Sequence, residues 1–334
     1  MSTDTQITEA TSAETLLDVR DLVVDLPSHD GDVRIIDQVS FTVEAGRTTG
    51  LIGESGSGKT MTALAVIGLL PSGAAIDGHL WWRSEDLLAA SPRRRRQVRG
   101  REIAMIFQDS LAGLNPSQTI GRQVTEIPRR DGMDRARLSD TATELLDRVG
   151  IPDPARRATD YPHQFSGGMR QRAMTALALA GHPQLILADE PTTALDVTVQ
   201  ARILAMLRRL RDEEHTAMLL VSHDLRVMSH VADDLVVMYA GRVCERGPAR
   251  AVLREPRHPY TKALVDSVPA VNRKTAVAAP IPGSPADPAE RPAGCAFHPR
   301  CPLARDRCRE EKPEVRELSP GRWSACHFAE EVSG

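Results

Sequence analysis

One eight-residue stretch, Gly53-Glu54-Ser55-Gly56-Ser57-Gly58-Lys59-Thr60, constrains this chain more than any other feature. It satisfies the pattern G-x-x-x-x-G-K-[ST], and it falls between a run expected to form a strand, Thr48 to Ile52, and a helical pattern expected from Lys59 to Leu70. Glycines there let successive backbone N–H groups converge on phosphate oxygens, and the start of the helix adds positive potential. Gly53, Ser55, Gly56, Ser57, Gly58 and Met61 are expected to line the phosphates. Lys59 reaches the β and γ oxygens, and the Thr60 hydroxyl is placed to ligate Mg²⁺.

A second run, Leu185-Ile186-Leu187-Ala188-Asp189-Glu190, reads as a buried strand ending in two acids. In open α/β sheets ligands bind beyond the carboxyl ends of the strands, where such carboxylates meet a bound nucleotide. Asp189 is expected to hold the Mg²⁺ shell and Glu190 to polarise the attacking water as general base. Apolar runs at 217–221 and 235–239 alternate with helical segments at 197–211 and 225–230. That alternation implies an α/β fold with a parallel sheet covered on both faces.

Composition narrows the class. A chain of 334 residues with 41% hydrophobic content has room for about two domains and a sizeable core. Its 42 Lys+Arg against 45 Asp+Glu give a net charge of −3, which offers no global attraction to nucleic acid. The run Arg93-Arg94-Arg95-Arg96 lies close to Glu85 and Asp86 without interleaved aromatics and reads as a solvated helix start or loop. Met61 to Leu70 stops at Pro71, far short of a membrane span. Residues 1–15 lack the features of a secretory signal and read as a disordered tail on a cytosolic protein. The segment 16–52 is β-rich, 110–180 reads as a helical insertion, and the Pro-rich stretch beyond 265 reads as a linker before a cysteine-rich end.

Phosphate loops serve many engines, and a third motif separates them. Gln164-Phe165-Ser166-Gly167-Gly168-Met169-Arg170-Gln171-Arg172 resembles the signature of ATP-binding cassette (ABC) proteins. The resemblance covers roughly residues 16–265. It implies an ABC-type P-loop ATPase core with a β-rich N-terminal subdomain, a helical signature subdomain at about 110–180 and a Cys-rich C-terminal extension at 266–334. In that family Ser166, Gly167 and Gly168 would face the γ-phosphate of ATP held by a second subunit. Gln108 matches the Q-loop glutamine, contacting Mg²⁺ and water; Thr193-Ala194-Leu195-Asp196 matches the D-loop; His223 matches the switch histidine. Catalysis would therefore fall to Glu190, His223, Gln108 and Lys59. Phe165 and Met169 depart from the commonest signature, and Leu16 to Asp37 holds no aromatic for adenine stacking, with Leu26 nearest to that position.

The segment Arg257-His258-Pro259-Tyr260-Thr261-Lys262-Ala263-Leu264, followed by Pro269 and the cysteines, resembles the C-terminal extension of ATP-binding subunits of oligopeptide/dipeptide importers, a group that includes nickel importers. The resemblance implies a heterodimer with a paralogous ATPase beneath two transmembrane permeases fed by an extracytoplasmic binding protein, at the cytoplasmic face of the membrane and without nucleic acid. A groove for a permease helix is expected in the helical insertion, including Leu111 to Arg130. The alternatives are a nickel importer and a soluble, non-transport ABC ATPase. Cys295, Cys301, Cys308 and Cys326 could hold zinc or a [4Fe-4S] cluster. The spacing lacks a Cys-x2-Cys knuckle, and the resemblance favours [4Fe-4S]. Cys244 is expected to be a buried structural thiol.

Overall fold

Five-residue strands without a polar interruption can be buried only where both faces of their sheet are covered. The computed structural model of the protein describes residues 14–29, 31–109, 113–192, 197–268 and 280–332. Its strands are β1 (Thr15–Leu26), β2 (Val33–Glu44), β3 (Thr48–Ile52), β4 (Ala75–Trp82), β5 (Glu85–Asp86), β6 (Ile103–Ile106), β7 (Leu185–Asp189), β8 (Ala217–Ser222), β9 (Asp234–Tyr239), β10 (Arg242–Pro248), β11 (Arg316–Ser319) and β12 (Arg322–Ser324). They form a four-stranded sheet in the order β2-β1-β4-β5 and an eight-stranded sheet in the order β11-β12-β10-β9-β3-β8-β7-β6. The core of the larger sheet, β9-β3-β8-β7-β6, is parallel.

Alternation along these strands divides the interior in two. Leu185, Leu187, Leu219 and Val221 point to one side, against Leu17, Val19, Phe41 and Leu80 of the antiparallel sheet. Ile186, Ala188, Met218 and Leu220 point to the other, against the helices. In chain order the helices are α1 (Lys59–Ile67), α2 (Pro92–Val98), α3 (Ile120–Val124), α4 (Glu126–Arg130), α5 (Arg135–Arg148), α6 (Pro154–Arg157), α7 (Gly167–Leu179), α8 (Val197–Glu214), α9 (Leu225–Val231), α10 (Ala249–Arg254), α11 (Pro259–Asp266) and α12 (Asp306–Glu310). The helical insertion is thus built from α3 to α7. Leu145 and Leu146 are buried on α5, as their amphipathic spacing implies.

One local reading needs adjustment. The first helix ends at Ile67 rather than Leu70, because Gly68 takes a left-handed conformation (φ 68°) and its N–H caps the last turn. The arginine run lies in α2, begun by Ser91, whose side chain accepts from the Arg94 N–H. Arg94 is drawn to Glu85, at 2.8 Å, and to Glu102. β4, β6 and the β11–β12 hairpin have no counterpart among the sequence expectations. The hairpin pairs with β10 and so carries the C-terminal segment onto the edge of the core sheet. Residues 1–13 of the expected tail lie outside the described residues.

Candidate nucleotide site

Parallel register brings the strand ends level. Ile52 of β3 stands beside Ser222 of β8, and Asp189 of β7 beside Val221. The loop 53–58, the acidic pair 189–190 and His223 therefore emerge along one edge of the sheet. Gly53 is required there: at φ 156°, an added Cβ would sit 2.2 Å from the Met238 carbonyl oxygen. Gly58, at φ 98°, caps the start of α1 where no side chain could follow that turn cheaply.

The ionisable groups of this edge are already engaged. Lys59 is buried, and its Nζ donates to the carbonyls of Gly53 (2.8 Å) and Glu54 (2.9 Å) and to Ser57 Oγ (3.3 Å). Burial lowers its pKa, against the pull of Glu190, Asp189 and Glu54. Thr60 Oγ1 donates to Asp189 Oδ1 at 3.1 Å, so the two oxygens expected on Mg²⁺ are neighbours. Burial raises the Asp189 pKa and Glu190 adds to the effect, while the Thr60 hydrogen bond and Lys59 oppose it.

Glu190 follows directly in a left-handed conformation (φ 45°), its N–H bonded to the Val221 carbonyl at 3.0 Å. One carboxylate oxygen accepts from Gln108 Nε2 at 3.1 Å, and the other lies 3.0 Å from His223 Nδ1. Gln108 is thus brought to Glu190 rather than to the Thr60–Asp189 pair. Three expected catalytic residues converge, with His223 exposed and Glu190 largely covered. Ser166 begins α7 by accepting the Met169 N–H at 3.3 Å, and it is exposed. The substituted Phe165 fills the interior, and Met169 packs against it. Thr193 to Asp196 lie outside the described residues. Leu26 closes β1 opposite Val33.

The cysteines converge on one cleft. Cys295, Cys301, Cys308 and Cys326 line it together with Phe297, Leu303 and Phe328. All are free thiols, and the Cys295 N–H bonds the Cys308 carbonyl at 2.8 Å. Yet among the described residues no three His, Cys, Asp or Glu side chains close into a group that could hold a metal ion. The expected zinc or [4Fe-4S] centre is not present as a formed ligand set. Burial pushes the Cys295, Cys301 and Cys326 thiols up to about 11, so ligation of any metal there would have to release their protons. Cys244 is buried in β10, as expected.

Sequence spacing did not single out several residues that shape this region. Tyr260 Oη accepts the Glu54 N–H at 2.8 Å, and Arg300 pairs with the Glu54 carboxylate. Glu245, fully buried, accepts from the N–H groups of Arg257 and His258 and pairs with Arg322 at 2.8 Å. A groove of about 650 Å³ opens in the helical insertion, lined by Thr119, Arg122, Thr125, Arg129, Leu138 and Ala158.

Comparison with known proteins agrees with this geometry. Residues 36–193 match the family described as ABC transporter, and residues 244–308 match the family described as oligopeptide/dipeptide transporter, C-terminal region. The chain is 44% identical to the dipeptide transport ATP-binding protein DppD of Escherichia coli over 321 residues, covering 96% of this chain and 98% of that one. It is 44% identical to the oligopeptide transport ATP-binding protein OppD of Salmonella typhimurium, covering 94% of each. Among solved structures, the dimeric bacterial ABC transporter cassette MJ0796 superposes with a TM-score of 0.62 at 24% identity, covering 70% of this chain and 99% of that one. This last likeness speaks for the fold.

Proposed function

The chain belongs to the ABC transporter family, among the ATP-binding proteins that carry the oligopeptide/dipeptide transporter C-terminal region, and from that premise we propose how it works. It is an ATPase that energises peptide import. The observation that carries the mechanism is the Glu190 carboxylate, held between Gln108 and His223 beside the phosphate loop.

ATP binds with its phosphates on the N–H groups of the loop 53–60 other than that of Glu54, which Tyr260 engages, and on the start of α1. Lys59 leaves the loop carbonyls for the β and γ oxygens, exchanging one set of acceptors for a more negative one. Glu190 accepts the proton of a water oriented by Gln108 as that water attacks the γ-phosphorus and the bond to the bridging oxygen breaks. His223 holds Glu190 in place and stands ready to contact the γ-phosphate. Thr60 and Asp189 fit Mg²⁺, which needs few protein ligands when phosphates and waters complete its shell and which supplies charge neutralisation there. Ser166, exposed, with half-buried Gly167 and Gly168 beside it, suits a second subunit's ATP, as the family's closed dimers require.

We place the subunit on the cytoplasmic side of the membrane, bound to permeases and served by a substrate-binding protein. Among the described residues no helix is long and apolar enough to cross a membrane. The groove beside α3 and α5 suits a permease coupling helix, and a paralogous ATPase suits the partner role. The four-thiol cleft supports a [4Fe-4S] cluster: a cluster spreads its ligands further apart than a single ion does, and no carboxylate is among the described residues lining the cleft. Cluster assembly would deprotonate the four cysteines.

The test is to co-express the chain with permeases and partner ATPase, purify the complex anaerobically, and measure iron, sulfide and ATP hydrolysis with and without peptide. Peptide-stimulated hydrolysis and about four irons per chain are expected, the number a cubane cluster carries. Stimulation by nickel alone, or by ribosomes or nucleic acid, would overturn the peptide assignment. An iron-free, active complex would overturn the cluster.

A further inference from the structure

Glu54 sits inside the phosphate loop, and three of its groups are held from different directions. Its carbonyl accepts from Lys59 Nζ at 2.9 Å. Its N–H donates to Tyr260 Oη at 2.8 Å, a contact between residues 206 apart in the chain. Its carboxylate receives Arg300 through Nη1 at 2.6 Å and Nη2 at 3.0 Å, across 246 residues. The last two partners both come from the C-terminal part of the chain.

Neither partner is free to wander. Tyr260 is fully buried, with its ring against Tyr239 (4.7 Å between centroids) and Phe297 (5.3 Å). The Arg300 side chain is only 4% exposed, and its remaining donors reach the carbonyls of Pro282 (2.7 Å) and Ile281 (3.3 Å) and the Tyr239 hydroxyl (3.4 Å). A planar guanidinium so fixed presents a two-pronged fork to the carboxylate, a geometry that lysine cannot reproduce.

We infer that Arg300 and Tyr260 are positioning residues for ATP: by fixing Glu54 they hold the phosphate loop in its binding shape while Lys59 exchanges the Glu54 carbonyl for phosphate. The C-terminal extension is then part of the nucleotide site, and the segment carrying Cys295 and Cys301 bears directly on the phosphate loop. The inference rests on the reading of residues 53–60 as the phosphate site. Glu54 is held by Lys59, Tyr260 and Arg300 on the loop itself, so its restraint is expected to act on ATP binding.

The test is equilibrium binding of ATP to the purified full chain, together with KM and kcat in the assembled complex. Glu54→Gln, Tyr260→Phe and Arg300→Met should each weaken ATP binding and raise KM by about tenfold, with kcat at saturating ATP unchanged. Arg300→Lys should recover part of the loss. The double variant Glu54→Gln/Arg300→Met should be no worse than Arg300→Met alone, since the two groups act through one contact. Should Arg300→Met fail to fold, Glu54→Gln and Tyr260→Phe remain, the first a near-isosteric change at a partly exposed side chain and the second a loss of one hydroxyl. ATP affinity and KM within twofold of wild type in both would overturn the inference, whatever happened to thermal stability. Lys59→Ala serves as the separate control: ATP binding that survives it would sink the phosphate-site reading itself.

Discussion

The phosphate edge of the central sheet and the C-terminal extension are held by different kinds of interaction. At the phosphate edge, the functional groups stand at or just beyond the ends of buried strands. Ile52 hands over to Gly53, Ala188 to Asp189 and Glu190, and Ser222 to His223. Parallel pairing then aligns those ends without further instruction. The extension instead depends on charges that meet across the chain. Glu245 reaches Arg322, Glu54 reaches Arg300, and Asp37 reaches Lys312. Motif chemistry is therefore local in sequence, whereas docking of an added segment is long-range and rests on buried ion pairs.

The largest effect should come from breaking the second kind of interaction. Glu245→Ala would leave Arg322 buried and unpaired and two N–H groups without an acceptor, costing about 3–5 kcal/mol of stability. A double variant with Arg322→Met should recover part of that in thermal or denaturant unfolding, and strict additivity would contradict the pairing. Next comes a variant confined to the phosphate edge. In Gly53→Ala the new methyl meets the backbone of Met238, so about 1–3 kcal/mol of overpacking should appear as lost ATP binding. Full ATP affinity in that variant would show that the loop is less tightly seated than the geometry requires.

A smaller loss is expected for His223→Ala. It removes one restraint on Glu190, worth about 1 kcal/mol, and should slow hydrolysis several-fold without weakening ATP binding. A drop in affinity instead would place His223 in ground-state binding.

The smallest effect is pH-dependent. Burial opposes ionisation of Asp37, but hydrogen bonds from Lys312 and Arg242 outweigh it and hold the pKa below the ordinary 3.8, with Arg291 also nearby. A carboxylate depressed in this way stabilises the fold fully above its unfolded pKa and loses that contribution as pH falls through the folded value. The stability gap between wild type and Asp37→Asn should therefore be constant near neutrality and narrow below about pH 3.8. A gap that widens in acid would reverse the assignment.

Much of the site was legible before the structure. The spacing of Gly53 to Thr60 and the acids after Ala188 follow from where strands end, and strand ends are readable from apolar runs. Gln108 was legible as a participant but not in its contact, because its placement against Glu190 depends on how β6 pairs with β7. The β11–β12 hairpin was not legible: its strands are only four and three residues long, β11 is polar and mostly exposed, and both exist because β10 offers an edge. The four cysteines announced a shared cleft, but spacing alone does not reveal whether buried thiols close around a single ion. Tyr260 lay within a recognisable stretch, yet nothing in its neighbours pointed 206 residues back to Glu54.

The central claim is that Glu190 is the general base of an ATP site that this chain builds for itself. The most direct measurement compares wild type and Glu190→Gln in the assembled complex, reading ATP turnover and retained nucleotide together. The account predicts that Glu190→Gln traps unhydrolysed ATP while turnover falls by at least about a hundredfold, the scale of a lost general base. Hydrolysis at the wild-type rate would contradict it.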